Sequence, residues 1–213
     1  MRWSNNKYIK EFTDLYCHED ILENLLPIQN IEKEVTEAMA MIRRLRPYSL
    51  RQSKTYTLMD FCSGNSLLPA ISAFLLKFNN NFAFDKTPRQ RDWANISKFA
   101  HVELDIYSPI FDQLCSARHI IMTSIHPCGK LAERVIDIFN NSNAEVLFLM
   151  PCCSGKTNVD VPQLFKEKLG NYLLWVWHLT GRIKNSNVSI QIDNNCISPK
   201  NAIIRATKKK PLT

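Results

Sequence analysis

The chain has 213 residues, of which 45% are hydrophobic and 22% are charged, as expected for a single globular domain. No apolar run reaches the roughly 18 residues of a membrane span, and the polar first ten residues lack the apolar core of a signal peptide. We therefore expect an intracellular protein, cytoplasmic or nuclear, without membrane contact. An odd count of seven cysteines fits a reducing compartment, and the net charge of +7 favours a polyanionic partner, with nucleic acid first among the candidates.

The first 50 residues are predicted to form a helical extension. Its main helix can be capped by Asn30 and is expected to stop at Pro47. Apolar residues recur along it with a helical period, at Ile31, Val35, Ala38, Ile42 and Leu45. We predict two regions, an extension over 1–50 that can carry a protein partner and a catalytic domain over 51–213.

The chain then alternates between strands and helices. Strands are predicted at 56–61, 82–85, 101–107, 119–125 and 144–150. Helices are predicted between them, one of which begins at Thr87 with Pro88 in its first position. Two final strands, 188–192 and 202–207, are too close for a crossover helix and are predicted to be antiparallel. The fold class is therefore α/β, with a mostly parallel Rossmann-like sheet and an antiparallel hairpin at its C-terminal end.

Glycine is scarce in this chain and is concentrated after the predicted strands. Three of the five glycines, Gly64, Gly129 and Gly155, follow the first, fourth and fifth strands. In such sheets ligands bind beyond the carboxyl ends of the strands, where glycine permits close approach of the backbone. We therefore predict a ligand site at this edge.

The loop over 60–66 reads Asp-Phe-Cys-Ser-Gly-Asn-Ser. It resembles motif I of the Rossmann-type S-adenosylmethionine-dependent methyltransferases, an acidic residue followed by G-x-G-x-G, with Cys62 and Ser66 at the outer glycine positions. The resemblance implies that S-adenosylmethionine is the cofactor, that Asp85 binds its ribose hydroxyls, and that Asp105 contacts its adenine. The full set of predicted cofactor contacts is Asp60, Cys62, Ser63, Gly64, Asn65, Asp85, Lys86, Asp105, Ile106 and Ser124.

The loops after the fourth and fifth strands read His-Pro-Cys-Gly over 126–129 and Pro-Cys-Cys-Ser-Gly over 151–155. Both resemble a methyltransferase-like group that includes the tRNA acceptor-stem 2′-O-methyltransferases. The resemblance implies methyl transfer to RNA, with tRNA as the first candidate substrate and a 2′-hydroxyl as the first candidate acceptor. The predicted catalytic residues are His126, Cys128 and Cys153.

Several interpretations of this Cys/His group stay open. His126 can act as a general base, since imidazole titrates near neutral pH. A cysteine can instead attack a pyrimidine ring, as in RNA C5-methyltransferases. His126 and three cysteines can also bind zinc, but Cys152 and Cys153 are adjacent and make poor joint ligands, so no metal is predicted. The cysteines can also be buried apolar groups that shape the pocket.

A third function remains possible, in which the protein is a catalytically silent RNA-binding or partner subunit that keeps the fold. The loss of two motif glycines supports that alternative. Basic residues at the predicted mouth of the site fit RNA contact in either case, and they are Lys86, Arg89, Arg91, Lys130 and Lys156.

Overall fold

A computed structural model describes residues 3–50, 55–89, 91, 95–114, 117, 119–152 and 163–209. The helices are α1 (Lys7–Thr13), α2 (His18–Leu25), α3 (Ile31–Ser49), α4 (Leu67–Leu75), α5 (Phe111–Leu114), α6 (Lys130–Asn141) and α7 (Gln163–Gly181). The strands are β1 (Thr57–Phe61), β2 (Asn81–Asp85), β3 (Phe99–Glu103), β4 (Ile120–Ile125), β5 (Val146–Met150), β6 (Ser186–Ile192) and β7 (Ala202–Lys208).

The strands form one sheet in the order β3-β2-β1-β4-β5-β7-β6. The first five strands run parallel, β7 is antiparallel to β5, and β6 is antiparallel to β7. The predicted fold class is thus confirmed, and β4 and β5 are direct neighbours. The carboxyl ends of β1, β2, β4 and β5 therefore lie at one edge of the sheet.

Helices cover both faces of the sheet because side chains along each strand alternate between the faces. On β5, Val146 and Phe148 pack in the core that includes α1 to α4, whereas Leu147 and Leu149 pack in the core that includes Phe111 of α5 and residues of α6 and α7. The N-terminal helices thus share a core with the sheet, and the division of the chain at residue 50 stays a prediction. No helix in the described residues is long and apolar enough to cross a membrane.

Three local predictions about helix ends were wrong. Pro47 lies inside α3 rather than ending it, and Asn30 occupies the N-cap position of α3 without a capping bond from its side chain. A proline two residues before a helix end removes only one N–H donor, so the last turn tolerates it. No helix begins at Thr87, whose backbone N–H instead bonds Oδ1 of Asp85 at 2.9 Å in a turn. Residues 90 and 92–94 lie outside the described residues.

A buried ion pair joins α3 to the loop between β6 and β7. Arg44 Nη1 donates to Asp193 Oδ2 at 2.8 Å, and the hydroxyl of Tyr8 donates to the same oxygen at 2.8 Å. Tyr8 is fully buried and Asp193 is 6% exposed. This contact fixes α3 against the loop between β6 and β7 and therefore against the sheet.

Replacing Arg44 by Met should destabilise the fold, because Asp193 would stay buried without its cation. Removing one partner of a buried pair costs about 3–5 kcal/mol. Urea unfolding followed by far-UV circular dichroism measures the loss. Arg46→Met, at an exposed position of the same helix, is the matched control and should change stability by less than about 0.5 kcal/mol. Equal effects from the two variants would contradict a structural role for the ion pair.

Candidate active site

The loop between β1 and α4 has a left-handed backbone at three alternate positions. The φ angles are 54° at Cys62, 53° at Gly64 and 58° at Ser66. These are the three glycine positions of the motif that the loop resembles. A left-handed residue with a side chain costs about 1–2 kcal/mol, and two such residues hold this conformation here. The loop therefore keeps the turn of a glycine-rich motif after two of the glycines are replaced.

Three carboxylates surround the thiol of Cys62. Burial, together with the negative charges of Asp85, Asp60 and Asp105, raises the pKa of Cys62 to about 12. This thiol is therefore protonated at neutral pH and is a poor nucleophile. The three acidic residues that the sequence assigns to the cofactor thus lie around one side chain.

Two adjoining cavities flank Cys62, which lines both of them. The first, of about 230 Å³, is lined by Asp60, Gly64 and His126 among others, and α3 contributes Glu34 and Glu37 to its wall. The second, of about 100 Å³, follows β2 and β3. The predicted cofactor residues are divided between the two cavities. Those on the wall of the first cavity are Asp60, Ser63, Gly64 and Asn65. Those on the wall of the second cavity are Asp85, Lys86, Asp105 and Ile106.

The second cavity combines apolar walls with acidic groups. Phe84 and Ile106 supply apolar surface, and Asp85 and Asp105 supply carboxylates. Asp85 also accepts a hydrogen bond from the backbone N–H of Gly64 at 2.9 Å, which ties the two cavities together. A flat heterocycle with an attached diol matches these walls, because carboxylates accept hydroxyl and amino hydrogens. The second cavity therefore fits the nucleoside half of S-adenosylmethionine.

The first cavity contains a buried carboxylate at the end of β1. Asp60 is 2% exposed, and Oγ1 of Thr123 donates to its Oδ1 at 2.7 Å. Burial, together with the negative charge of Asp85, raises the pKa of Asp60 to about 7, against the opposing effect of the hydrogen bond from Thr123. Near neutral pH this group gains a proton unless a positive charge binds beside it. A cationic ligand is therefore the electrostatic match for the cavity.

The same cavity contains an imidazole–carboxylate pair. His126 directly follows β4 with a φ of 58°, and its Nε2 lies 2.5 Å from Oε1 of Glu37. Glu37 is almost fully buried and is also bound by Nζ of Lys33 at 3.1 Å. An ionised carboxylate only accepts hydrogen bonds, so we assign the ring proton of neutral His126 to Nε2. Its Nδ1 is buried and has no partner among the described residues, which leaves it as the basic nitrogen.

The cysteines after β4 and β5 converge near His126 but lie outside both cavities. Sγ of Cys128 and Sγ of Cys152 are 2.8 Å apart, and each is within 3.6 Å of the carbonyl oxygen of His126. Neither side chain lines the first or the second cavity. Cys153, the other predicted catalytic cysteine, lies outside the described residues. Within the described ranges, no group of three His, Cys, Asp or Glu side chains could hold a metal ion.

Ser124 lies in the sheet rather than on a cavity wall. Its side chain is fully buried, and its hydroxyl donates to the carbonyl oxygen of Phe61 at 2.6 Å. It therefore holds β1 and β4 together below the site, and this position does not support the predicted cofactor contact.

Sequence reasoning missed the contribution of α3, since it assigned no role in the site to Glu34 or Glu37. Glu34 accepts two hydrogen bonds from Nδ2 of Asn65, at 2.8 and 3.1 Å. One feature of the sequence could have indicated this contribution. Glu34 directly borders the apolar stripe of the helix, and a carboxylate at such a position needs a hydrogen-bond partner.

The strand order, the carboxylates at the ends of successive strands and the left-handed loop after β1 together define a Rossmann-like methyltransferase. Residues 32–159 match the family described as "Methyltransferase domain". This match covers more than half of the chain, and the chain belongs to this family. Family and fold together indicate S-adenosylmethionine as the cofactor. The matched region begins inside α3 and thus includes Glu34 and Glu37.

Solved structures with the same fold are distant in sequence. The CurJ carbon methyltransferase is 11% identical with a TM-score of 0.53, and the match covers 84% of this chain and 55% of that chain. The DszA carbon methyltransferase is 14% identical with a TM-score of 0.51 over 83% and 53% of the two chains. The methyltransferase domain of bacterial CtHen1-CN is 9% identical with a TM-score of 0.51 over 82% and 99%. This chain thus spans about half the length of the two carbon methyltransferases. No curated protein is significantly similar to the chain in sequence.

Proposed function

We propose that the protein transfers a methyl group from S-adenosylmethionine to a hydroxyl group of an RNA, with a tRNA 2′-hydroxyl as the first candidate acceptor. The observation that carries this proposal is the His126–Glu37 pair on the wall of the first cavity, next to the carboxylates around Cys62. A hydroxyl acceptor must lose a proton during methyl transfer, and this pair can take it. The net charge of +7 supports a polyanionic substrate.

The residues of the two cavities fit the cofactor. Asp85 would hold the ribose hydroxyls, Asp105 and Ile106 would line the adenine position, and Asp60 would face the positively charged half of the molecule. When bound, S-adenosylmethionine supplies a methyl group that its sulfonium has already activated. The chain therefore needs to align the acceptor and to accept its proton.

His126 would act as the general base through Nδ1, which has no hydrogen-bond partner among the described residues. Glu37 is the positioning residue. Its carboxylate holds the Nε2–H, fixes the orientation of the ring, and stabilises the imidazolium that forms when Nδ1 takes the proton. Lys33 in turn holds Glu37, since its Nζ lies 3.1 Å from Oε1 and 3.2 Å from Oε2 of that carboxylate. The acceptor hydroxyl would then be deprotonated as its oxygen takes the methyl group.

Methyl transfer from labelled S-adenosylmethionine to separate RNA, protein and small-molecule fractions of a cell extract tests the proposal. We expect label in RNA, and alkaline hydrolysis should release it in a resistant dinucleotide, because a 2′-O-methyl group blocks cleavage of the adjacent phosphodiester. Label only in protein or small molecules would contradict the RNA substrate. Label in alkali-sensitive nucleotides would contradict the 2′-hydroxyl acceptor.

Replacing Cys128 or Cys152 by Ser should leave turnover within about threefold of wild type, because neither side chain lines the first or the second cavity. Initial rates at saturating cofactor measure the effect. The alternative of a cysteine-dependent pyrimidine C5-methyltransferase predicts that one of these variants is inactive and that wild type forms a covalent adduct with RNA that contains fluoropyrimidine. Either result would replace the His126 mechanism with a cysteine mechanism.

A further inference from the structure

A third, strongly polar cavity of about 390 Å³ opens beside the first one. It lies where α3 begins and includes Asn30 in its wall. It shares Lys33, Glu34, Asn65 and Arg89 with the first cavity. The first and third cavities therefore adjoin at these four side chains.

The side chains around this third cavity carry a net positive charge. Lys33, Arg89 and Arg91 are cationic, and Glu34 is the one carboxylate among the lining residues. Burial raises the pKa of Glu34, and Nδ2 of Asn65 donates two hydrogen bonds to its carboxylate. The carboxylate of Glu34 is thus hydrogen-bonded and less readily ionised than an exposed glutamate. The positive side chains therefore determine the net charge of the third cavity.

Arg91 is held in place with unused donor capacity. Its Nη2 donates to the carbonyl oxygen of Pro27 at 2.8 Å and contacts Oδ1 of Asn65 at 3.3 Å. Its Nε is buried and has no partner among the described residues. A guanidinium that is fixed at one end and has a free N–H at the other suits the oxygen of an anionic group. Arg89 is exposed on the same wall and supplies a second charge.

We propose that this third cavity binds a phosphodiester of the RNA substrate next to the nucleotide that is methylated. The inference rests on the proposed function, since it places the acceptor in the first cavity beside His126. Arg89 and Arg91 would hold the phosphate oxygens, and Asn65 would couple this contact to the loop after β1 through its bonds to Arg91 and Glu34. Binding of the phosphate in the third cavity would thus set how far the acceptor sugar enters the first cavity.

Two variants test the site, Arg89→Ala and Arg91→Ala, with Lys184→Ala as the matched loss of one positive charge. Lys184 is exposed and precedes β6 at the opposite edge of the sheet. In the methylation assay we expect each arginine variant to raise the KM for RNA by roughly tenfold to a hundredfold and to reduce the salt dependence of log KM by about one unit of slope. The Kd for S-adenosylmethionine should stay within twofold in Arg91→Ala, whose side chain lines the third cavity but not the first. Lys184→Ala should match wild type in all three quantities.

Arg91 also contacts Pro27, so its replacement can perturb the fold, whereas Arg89 is exposed and keeps the test decisive. RNA methylation with an unchanged KM and salt slope in Arg89→Ala would overturn the phosphate site while leaving the proposed function intact.

A direct binding assay separates the two proposals when no RNA is methylated. The probe is a short fluorescent oligoribonucleotide, and its binding is followed by anisotropy. Weaker binding to Arg89→Ala than to Lys184→Ala supports the phosphate site, and equal binding overturns it.

Two competitors identify the chemical group that is bound. The same oligonucleotide with neutral methylphosphonate linkages should compete poorly, and strong competition by inorganic phosphate alone would mean a site for free phosphate rather than for an RNA phosphodiester.

Discussion

Replacing His126 by Ala is expected to lower kcat by roughly 10²–10⁴-fold, the range that a general base contributes. The Kd for S-adenosylmethionine should change by less than about threefold, because the imidazole acts on the acceptor rather than on the cofactor. Single-turnover methyl transfer with cofactor binding measured in parallel gives both quantities. A fall in cofactor affinity that accounts for the whole loss of rate would contradict the assignment of His126 as the base.

His119 provides a matched control at the other end of the same strand. It precedes β4, has a φ of 61°, and its Nδ1 lies 2.7 Å from Oε1 of Glu145. His119 and Glu145 thus form a second imidazole–carboxylate pair in similar backbone geometry, but this pair does not line the described cavities. His119→Ala should retain the kcat of wild type.

Glu37→Gln should lower kcat less than the loss of His126, because the amide can still accept the Nε2–H but cannot stabilise an imidazolium. In Glu37→Gln the loss should fall on kcat, with the Kd for S-adenosylmethionine within about threefold of wild type, whereas a purely packing role of Glu37 would lower cofactor affinity and stability together.

The second large effect concerns pH. Cofactor affinity should fall about tenfold for each pH unit below about 7, because burial raises the pKa of Asp60 to about 7 and only the ionised form matches a cation. Between pH 7 and pH 5 the expected loss is about a hundredfold. Isothermal titration calorimetry with S-adenosylmethionine over this range measures it. An affinity that does not depend on pH would contradict contact between Asp60 and the charged half of the cofactor.

Two variants locate this pH dependence at Asp60. Asp60→Asn keeps an oxygen that can accept from Thr123 but carries no charge, so its affinity should be low and independent of pH. Thr123→Val removes the hydrogen bond that lowers the pKa of Asp60, so the midpoint should move to higher pH.

The ligand-free protein should show the opposite trend in stability. The folded-state pKa of Asp60 lies above the ordinary aspartate value of 3.8, so the folded state holds a proton between about pH 4 and pH 7 that the unfolded state releases. Stability should therefore fall as pH rises through this window. Asp60→Asn should be more stable than wild type at pH 8, by an amount on the order of a few kcal/mol.

The parallel sheet was predictable from sequence because strand and helix periodicities alternate clearly from β1 to β5. The antiparallel hairpin was predictable because the loop between β6 and β7 is too short for a crossover helix. The left-handed loop after β1 was indicated by Gly64 alone, although Cys62 and Ser66 adopt the same backbone region against their intrinsic preference.

The acidic face of α3 was not predictable, because the partners of Glu34 and Glu37 lie 31 and 89 residues away in the chain. Carboxylates near the start of a helix are also common without any site, since the helix dipole favours them there. The position of Ser124 depended on the pairing of β1 with β4, which periodicity does not give. The outer edge of the site therefore required tertiary contacts that no local pattern contains.

The central claim is that the carboxylates around Cys62 form the cofactor site. The most direct measurement is calorimetric titration of the purified protein and of Asp85→Ala with S-adenosylmethionine at pH 7.5. We predict binding at one site per chain for wild type and a loss of affinity of at least about tenfold for Asp85→Ala, whose carboxylate lines the second cavity. Absence of heat from wild type, or equal affinity in the two proteins, would contradict the account.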